Sequence, residues 1–200
     1  MAQPVERGKG YTYADYLTWD DGKRWEIIDG VAYEKIEGPS IVSDMTPGPN
    51  RFHQLISGRL FAIIFNFLNG KNAQIYSAPF DILFENEDDP KGQSIVVQPD
   101  LSIFCSDEKL NEKGAIGAPD WVIEILSPYT SVLDLNTKFF LYQKYLVQEY
   151  WVVDPVKKIT TSFILENGHF ASGKQFDEKQ KINSSIFTDL KIDLRQVFAK

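Results

Sequence analysis

The chain is poor in the residues that build disulfides and thiolate metal sites, since its 200 residues include one cysteine, Cys105. A single cysteine excludes an intrachain disulfide and a zinc site made of several thiolates. No apolar stretch approaches the roughly 18–20 residues that span a bilayer. The start, "MAQPVERGKG", lacks the apolar segment that follows the charges of a secretory signal. We therefore expect a protein of the reducing cytoplasm with no membrane partner.

Basic residues are also scarce relative to acidic ones, 21 against 28, which gives a net charge of −7 at pH 7. A protein that binds nucleic acid over its whole surface needs clustered Lys and Arg, so the acidic charge argues against this class. A small basic patch, or contact with phosphate through a cation, is still compatible with this charge. The apolar fraction of 43% is enough for a sizeable core. We expect a flexible N-terminus over residues 1–10 and a single domain over residues 11–198.

Local patterns in the first half predict a short helix and a hairpin. "YTYADYL" indicates a helix capped by Thr12, with Asp15 as its capping-box partner. Two β-prone runs flank Asp29-Gly30, a strong two-residue turn signal, and predict a hairpin.

A long helix is predicted to begin after Asn50 and to end near Gly70. Its apolar residues at helical spacing are Phe52, Leu55, Ile56, Leu60, Ile63 and Phe67. His53 lies beside Phe52, and we expect it to be a partly exposed helix residue rather than a ligand.

The second half alternates strands and helices. "SIVVQPDLSIFC" and "WVIEIL" (121–126) predict apolar strands, and "DEKLNEKGAIGAP" between them predicts a polar loop. A helix over roughly 134–147, a strand at 149–154 and a hairpin around Asn167-Gly168 follow. This order predicts an α/β (α+β) fold with a mixed sheet flanked by helices.

Two acids interrupt these apolar strands, Asp100 in "SIVVQPDLSIF" and Glu124 in "WVIEIL". A buried, unpaired carboxylate costs several kcal/mol or takes up a proton. If the two strands are neighbours, the acids could converge, and a divalent cation such as Mg²⁺ between them would remove their repulsion. Alternatively, each acid could pair with an Arg or Lys, or lie at a strand end in water.

Lys138 is a third candidate, because it shares one face of the following helix with Tyr142 and Tyr145. If that helix packs on the sheet, the ammonium could reach the acids and neutralise charge on a phosphate. The alternative is a surface pair with Asp134, four residues earlier, which is worth only tenths of a kcal/mol.

Taken together, these segments resemble the Uma-type putative restriction endonuclease family, a branch of the PD-(D/E)xK nuclease superfamily. The resemblance covers most of residues 11–198 and begins with "WEIIDG" (25–30), "HQLISGRL" (53–60) and "FDILF" (80–84). It continues with "QPD" (98–100), "GAPDWVIEILSP" (117–128) and "DLNTKFFLYQKYLVQEYWVVDP" (134–155), and ends near "KIDLRQVF".

The resemblance implies a restriction-endonuclease-like fold and Mg²⁺-dependent hydrolysis of phosphodiester bonds, with Mn²⁺ as a possible substitute. It implies that Asp100 and Glu124 bind the metal and that Lys138 completes the catalytic set. The usual lysine position, two residues after the glutamate, is Leu126 in this chain, so Lys138 would supply the ammonium from the next helix.

Three further residues are predicted to support the site. Glu26 and Asp81 match family positions and could hold a second metal, orient a water or pair with Lys138. Each could equally be a hairpin or strand-edge acid facing solvent. Gln98 lies two residues from Asp100, on the same face of a continuous strand, and could be a polar neighbour of the metal ligands.

The prediction is therefore a metal-dependent endonuclease that acts on nucleic acid, with DNA as the expected substrate and a homodimer as the expected assembly. An inactive nuclease-fold module that binds nucleic acid or a protein partner is the alternative, favoured by Leu126 and by the acidic surface. A glycosidase with paired carboxylates is a third possibility, but no aromatic-lined cleft pattern supports it.

Overall fold

A computed structural model describes residues 10–35, 51–85, 94–127 and 132–199. The helices are α1 Tyr13–Tyr16, α2 Arg51–Leu68, α3 Val132–Lys144 and α4 Leu194–Val197, and a 3-10 turn lies at Asp107–Lys109. The first strands are β1 Trp25–Ile28, β2 Val31–Glu34, β3 Gln74–Ser77, β4 Asp81–Phe84, β5 Ile95–Val97, β6 Leu101–Phe104, β7 Leu110–Asn111 and β8 Gly114–Ile116. They are followed by β9 Trp121–Ile125, β10 Glu149–Asp154, β11 Ile159–Glu166, β12 His169–Phe170, β13 Lys174–Asp177, β14 Lys181–Asn183 and β15 Lys191–Asp193.

The strands of the described ranges form two larger sheets and one small pair. The central sheet has the order β12-β11-β10-β9-β6-β3, with β13 paired to β11. The second sheet has the order β2-β1-β5-β4-β8-β7, and β14 pairs with β15. β9 and β10 run parallel, as do β4 and β8, whereas β6 and β9 are antiparallel. The architecture is the predicted α+β fold with mixed sheets.

The central sheet is covered on both faces, and β9 shows how its residues divide between them. Trp121 and Ile123 belong to the core cluster that contains the buried face of α2. Val122 belongs to the cluster that contains residues of α3 and of the second sheet. Because side chains alternate along a strand, Glu124 shares the face of Val122 and points toward α3. As predicted, the Glu124 carboxylate lies inside a strand that is covered on both faces, so it needs a partner to offset the cost of burial.

Several local predictions are confirmed. Thr12 and Asp15 form a reciprocal capping box at the start of α1. β1 and β2 form a hairpin through Asp29 and Gly30, whose φ angles of 49° and 73° suit a tight turn between twisted strands. β11 and β12 form the predicted second hairpin.

Three predictions require correction. "SIVVQPDLSIFC" is not one strand, because the chain leaves the second sheet after β5 and enters the central sheet at β6. Pro99 lies at this break, where it removes a backbone donor and restricts the residue before it. The predicted polar loop "DEKLNEKGAIGAP" contains the 3-10 turn, β7 and β8. The buried face of α2 is rotated from the predicted one, since Phe52 is 56% exposed and His53 is buried. The proposed cap Asn50 lies outside the described residues.

Another buried carboxylate, that of Glu149 at the start of β10, binds the C-terminal segment to the central sheet. It accepts hydrogen bonds from Trp151 Nε1 at 2.7 Å, Ser184 Oγ at 2.8 Å and the Ser185 amide at 2.9 Å. Several neutral donors satisfy this acid, which shows that burial of a carboxylate alone does not indicate a catalytic site.

Gly58 is expected to limit the stability of α2. It lies in the interior of the helix, and a Cβ there would meet no atom within 4 Å. We expect Gly58→Ala to raise the free energy of unfolding by about 0.5–1 kcal/mol, because glycine is a poor helix former. Urea denaturation measures this, and Ala62→Gly on the same helix should lower it by a similar amount. A Gly58→Ala protein less stable than the wild type would contradict the open surroundings of this position.

Candidate active site

The Glu124 carboxylate is stabilised by two donors on α3. Lys138 Nζ donates to Glu124 Oε1 at 2.8 Å, and the Tyr142 hydroxyl donates to the same oxygen at 2.8 Å. All three residues are buried. The spacing of four residues between Lys138 and Tyr142 places both on one helix face, as predicted. The alternative placement of Lys138 on the surface is ruled out, because its ammonium lies inside the protein.

Lys138 also binds an acid of the second sheet. Its Nζ lies 3.0 Å from Oε1 of Glu26, a buried residue of β1. The same oxygen accepts the Gln98 amide N–H at 2.8 Å and lies 3.5 Å from Lys35 Nζ. Glu26 therefore pairs with Lys138, which was one of its three predicted roles.

These contacts shift the pKa values of the ion pair. Burial alone would lower the pKa of Lys138, but Glu124 and Glu26 outweigh burial and raise it above the ordinary value. Burial alone would raise the pKa of Glu26, but Lys138, Lys35 and the Gln98 amide outweigh burial and lower it. Burial and the charge of Glu124 raise the pKa of Tyr142 well above its ordinary value. At neutral pH Lys138 is a cation, Glu26 an anion and Tyr142 a neutral donor.

Asp100 lies immediately before β6, at the position opposite Glu124 on the neighbouring strand β9. The antiparallel register pairs Leu101 with Ile123, so one further step brings Asp100 opposite Glu124. Asp100 Oδ2 accepts the Ile125 amide N–H at 2.7 Å and lies 3.2 Å from His53 Nε2. Burial would raise the pKa of Asp100, but His53, Lys35 and the Ile125 amide outweigh burial and lower it. The two acids predicted to share a site therefore lie on adjacent strands, as direct cross-strand neighbours.

Asp81 and Gln98 belong to a neighbouring hydrogen-bond network. The Gln98 side chain donates to Asp81 Oδ1 at 2.7 Å and accepts from Arg24 Nε at 3.0 Å. The Tyr16 hydroxyl also donates to Asp81 Oδ1, at 2.9 Å. Gln98 is buried, and its backbone connects this network to the ion pair through Glu26. Within the described residues, Asp81 contacts Gln98 and Tyr16. The predicted pairing of Asp81 with Lys138 is not observed there.

Two residues of the site were missed by sequence reasoning. His53 was expected to be partly exposed, yet it is 8% exposed and contacts Asp100. A signal existed, because His53, Ile56 and Leu60 follow the same helical spacing as the buried face. Lys35, which donates to the Gln98 carbonyl oxygen at 2.7 Å, follows the β1–β2 hairpin and had no signal in the sequence.

Leu126, which occupies the usual lysine position of the superfamily, directly follows β9. Its amide donates to the Val153 carbonyl oxygen, so it extends the pairing of β9 with β10 by one residue. No ammonium is available from its side chain. The cation beside Glu124 comes instead from Lys138 on the following helix.

A pocket of about 240 Å³ opens on the side of Asp100 that faces α2. We call it the α2 pocket. It is lined by His53, Ser57, Gly58 and Phe61 of α2 together with Arg24 and Asp100, and also by Gln54 and the turn at 77–78. Asp100 therefore belongs both to the carboxylate pair and to the pocket wall.

The residues present are compatible with a Mg²⁺ ion that has few protein ligands. Asp100 Oδ1 and Glu124 Oε2 accept no hydrogen bond from the described residues, so each acid has an oxygen available. Across residues 10–35, 51–85, 94–127 and 132–199, no group of three or more His, Cys, Asp or Glu side chains is arranged to hold a metal. Mg²⁺ often uses one or two carboxylates and completes its shell with waters and substrate phosphate, and this donor set fits that pattern.

In the part of the chain that the structure describes, the helices are too short or too polar to cross a membrane.

The fold and this arrangement of acids define a restriction-endonuclease-like α+β protein. The chain matches the family model described as Uma2, putative restriction endonuclease, over residues 13–195, and it therefore belongs to this family.

Two individual proteins are similar to this chain. The chain is 28% identical over 142 residues to the uncharacterized protein slr1290 of Synechocystis sp., which covers 70% of this chain and 66% of that relative. It thus spans just under two thirds of the relative's length. The crystal structure of a putative nuclease of DUF820 from Anabaena variabilis matches with a TM-score of 0.72 at 21% identity, covering 94% of this chain and 98% of that one. At this identity the likeness shows the shared fold alone.

Removal of the Lys138 ammonium should strongly destabilise the fold. We expect Lys138→Met to lower the free energy of unfolding by about 3–5 kcal/mol, because Glu124 and Glu26 would stay buried without their cation. Urea denaturation at neutral pH measures the loss. Lys144→Met on the exposed face of α3 is the matched control and should change stability by less than about 0.5 kcal/mol. Equal effects of the two substitutions would show that the buried ion pair is not a major source of stability.

The lowered pKa of Glu26 gives the stability a defined pH dependence. A carboxylate whose pKa is lower in the folded state contributes stability above its ordinary value of 4.5, and loses that contribution as the pH falls toward the folded value. The difference in unfolding free energy between wild type and Glu26→Gln should therefore narrow from about pH 6 to about pH 3. Denaturation series at several pH values measure it. Glu34→Gln is the surface control, and a difference for Glu26→Gln that stays constant with pH would contradict the shift.

Proposed function

We propose that this protein is a Mg²⁺-dependent endonuclease that hydrolyses phosphodiester bonds of nucleic acid, with DNA as its substrate. The observation that carries the proposal is the placement of Asp100 opposite Glu124 on adjacent strands, with the Lys138 ammonium 2.8 Å from Glu124. Membership in a family described as restriction endonucleases supports the same reaction class.

Asp100 and Glu124 would hold the Mg²⁺ ion through the oxygens that the described residues leave available. When bound, Mg²⁺ supplies Lewis-acid polarisation of the phosphate and lowers the pKa of a water. The protein holds both acids in place for this purpose. His53 and the Ile125 amide hold Asp100, and Lys138 and Tyr142 hold Glu124.

Lys138 provides a fixed positive charge beside the reacting phosphate. Its pKa is raised, so it is an electrostatic group and not a proton donor at neutral pH. During hydrolysis a water oxygen attacks phosphorus and loses a proton to solvent, and the bond to the leaving ester oxygen breaks as that oxygen takes up a proton from solvent. Negative charge grows on the phosphoryl oxygens during this exchange. An ammonium held in advance stabilises this charge without reorganisation. Glu26 contributes by holding Lys138 at 3.0 Å from the other side.

An inactive binding module is the second candidate, and the environment of Lys138 is the observation that favours it. Its ammonium contacts two carboxylates, and Leu126 stands where the superfamily carries its own lysine. In this case the ion pair would be structural and the protein would bind nucleic acid without cutting it. Cleavage assays separate the two candidates.

Plasmid nicking in Mg²⁺, Mn²⁺ and EDTA tests the activity. We expect cleavage with either metal and none in EDTA. Asp100→Asn and Glu124→Gln should each reduce the rate by about 10²–10³ or more, because each removes a charge from the proposed metal site. Calorimetric titration of the same variants with Mg²⁺ should show weaker binding than in the wild type.

Asp177→Asn, far along the chain on β13, is the control and should keep the rate within about twofold of the wild type. Unchanged Mg²⁺ binding by both site variants would remove the proposed metal site. Absence of cleavage with supercoiled, linear and single-stranded DNA under every metal would favour the inactive module.

A further inference from the structure

Lys35 is a partly buried cation that the proposed chemistry leaves without a role. It follows the β1–β2 hairpin, and its Nζ donates to the Gln98 carbonyl oxygen at 2.7 Å. The same ammonium lies 3.5 Å from Glu26 Oε1. Burial alone would raise the pKa of Asp100, and the Lys35 charge is among the effects that outweigh burial and lower it. Lys35 is therefore a second ammonium among the acids of the site, in addition to Lys138.

A phosphodiester that approaches these acids needs a positive charge that is directed at it, because carboxylates repel an anionic phosphate. Lys138 does not meet this need by itself. Its Nζ contacts the carboxylate oxygens of Glu124 and Glu26 at 2.8 and 3.0 Å, and its side chain is 10% exposed. Two carboxylates in direct contact offset the charge of one ammonium, so little of it remains for a substrate.

The Lys35 ammonium differs from that of Lys138 in its partners and in its exposure. Within the described residues its one hydrogen bond goes to a neutral acceptor, the Gln98 carbonyl oxygen. An ammonium has three N–H donors, so two of them remain for a ligand. The side chain is 19% exposed, about twice the fraction for Lys138. The positive charge of Lys35 is thus less compensated and can be reached from solvent.

The backbone and the side chain of Lys35 are both held in place. Its amide donates to the Arg24 carbonyl oxygen at 2.8 Å, which continues the pairing of β1 with β2 beyond Glu34. Its side chain reaches Gln98, which follows β5 and stands two residues before Asp100. The ammonium is therefore fixed beside the segment that carries the first acid. A charge that is positioned in advance stabilises a phosphoryl group without reorganisation.

We propose that Lys35 is the phosphate-binding cation of the site, and that its ammonium donates to a non-bridging oxygen of the phosphodiester held at Asp100 and Glu124. This inference rests on the proposed function, because it takes the bound group to be a phosphodiester. Lys138 acts through the acids that it holds, whereas Lys35 makes the direct contact with the substrate. The hairpin β1–β2 thereby contributes a catalytic residue to the site.

Substitution of Lys35 tests this role in the nicking assay. Lys35→Gln removes the charge and keeps a donor for the Gln98 carbonyl oxygen. We expect cleavage to slow by about ten- to a hundredfold, the range for loss of a hydrogen bond to a charged group. Lys35→Arg keeps a cation and should recover most of the rate. Lys23→Gln, at a surface lysine paired with Glu34, is the control and should keep the rate within about twofold of the wild type.

Metal binding separates a substrate contact from damage to the metal site. Calorimetric titration should show that Lys35→Gln binds Mg²⁺ at least as tightly as the wild type, because a nearby positive charge opposes the binding of a cation. Asp100→Asn should bind it more weakly in the same titration. Thermal unfolding confirms that each variant is folded.

Acetylation of the wild type by acetic anhydride reports on Lys35 without any substitution. The probe is a deoxyoligonucleotide of roughly 10 nucleotides, single-stranded or as a duplex, in large excess with Mg²⁺. Mass spectrometry of the peptides should show less label on Lys35 when the probe is present and unchanged label on Lys23. An analogue with uncharged methylphosphonate linkages should give no protection, because it offers no anionic oxygen.

Cleavage and phosphate contact can fail separately. If the oligonucleotide protects Lys35 but the wild type never cuts DNA, the assignment of Lys35 stands and the proposed hydrolysis fails. If the wild type cuts DNA and Lys35→Gln cuts as fast as Lys23→Gln, the assignment of Lys35 is overturned. It is also overturned if Lys35 is acetylated equally with and without the oligonucleotide, or if the methylphosphonate analogue protects it equally well.

Discussion

The buried ion pair of Lys138 with Glu124 and Glu26 is the interaction on which the arrangement of the molecule depends. Glu124 belongs to β9 of the central sheet, Glu26 to β1 of the second sheet, and Lys138 to the helix α3. One ammonium thus connects three separate elements. Two carboxylates near each other would otherwise repel in a medium of low dielectric. The same charge that holds the sheets together stands beside the proposed reaction centre, so fold and site cannot be varied independently.

The break at Pro99 gives the site its second half. Because the chain passes from one sheet to the other at residues 98–100, Gln98 and Asp100 diverge although they are only two residues apart. Gln98 contacts Asp81 and, through its amide, Glu26, whereas Asp100 contacts His53 and the Ile125 amide. A continuous strand would have placed both side chains on one face. Because of this break, residues 98–100 contribute one side chain to the second sheet and one to the central sheet.

Sequence patterns predicted the features that depend on residues close together in the chain. Acids inside apolar runs drew attention to Asp100 and Glu124, and helical spacing placed Lys138 with Tyr142. The roles of Lys35 and His53 could not be obtained in this way. Lys35 reaches Gln98 across the β1–β5 pairing, and the choice of buried face on α2 depends on packing against the central sheet. The environment of Glu149 could not be predicted either, because the serines that donate hydrogen bonds to it lie about 35 residues further along the chain.

The wall of the α2 pocket depends on contacts that are very distant in sequence. Arg59, next to Gly58, donates to the Val197 carbonyl oxygen 138 residues away, and α4 packs in the same core cluster as α2. Closing so long a loop is slow and comes late in folding. The wall that α2 contributes to the pocket is therefore positioned in part by residues of α4, although the two helices are far apart in the sequence.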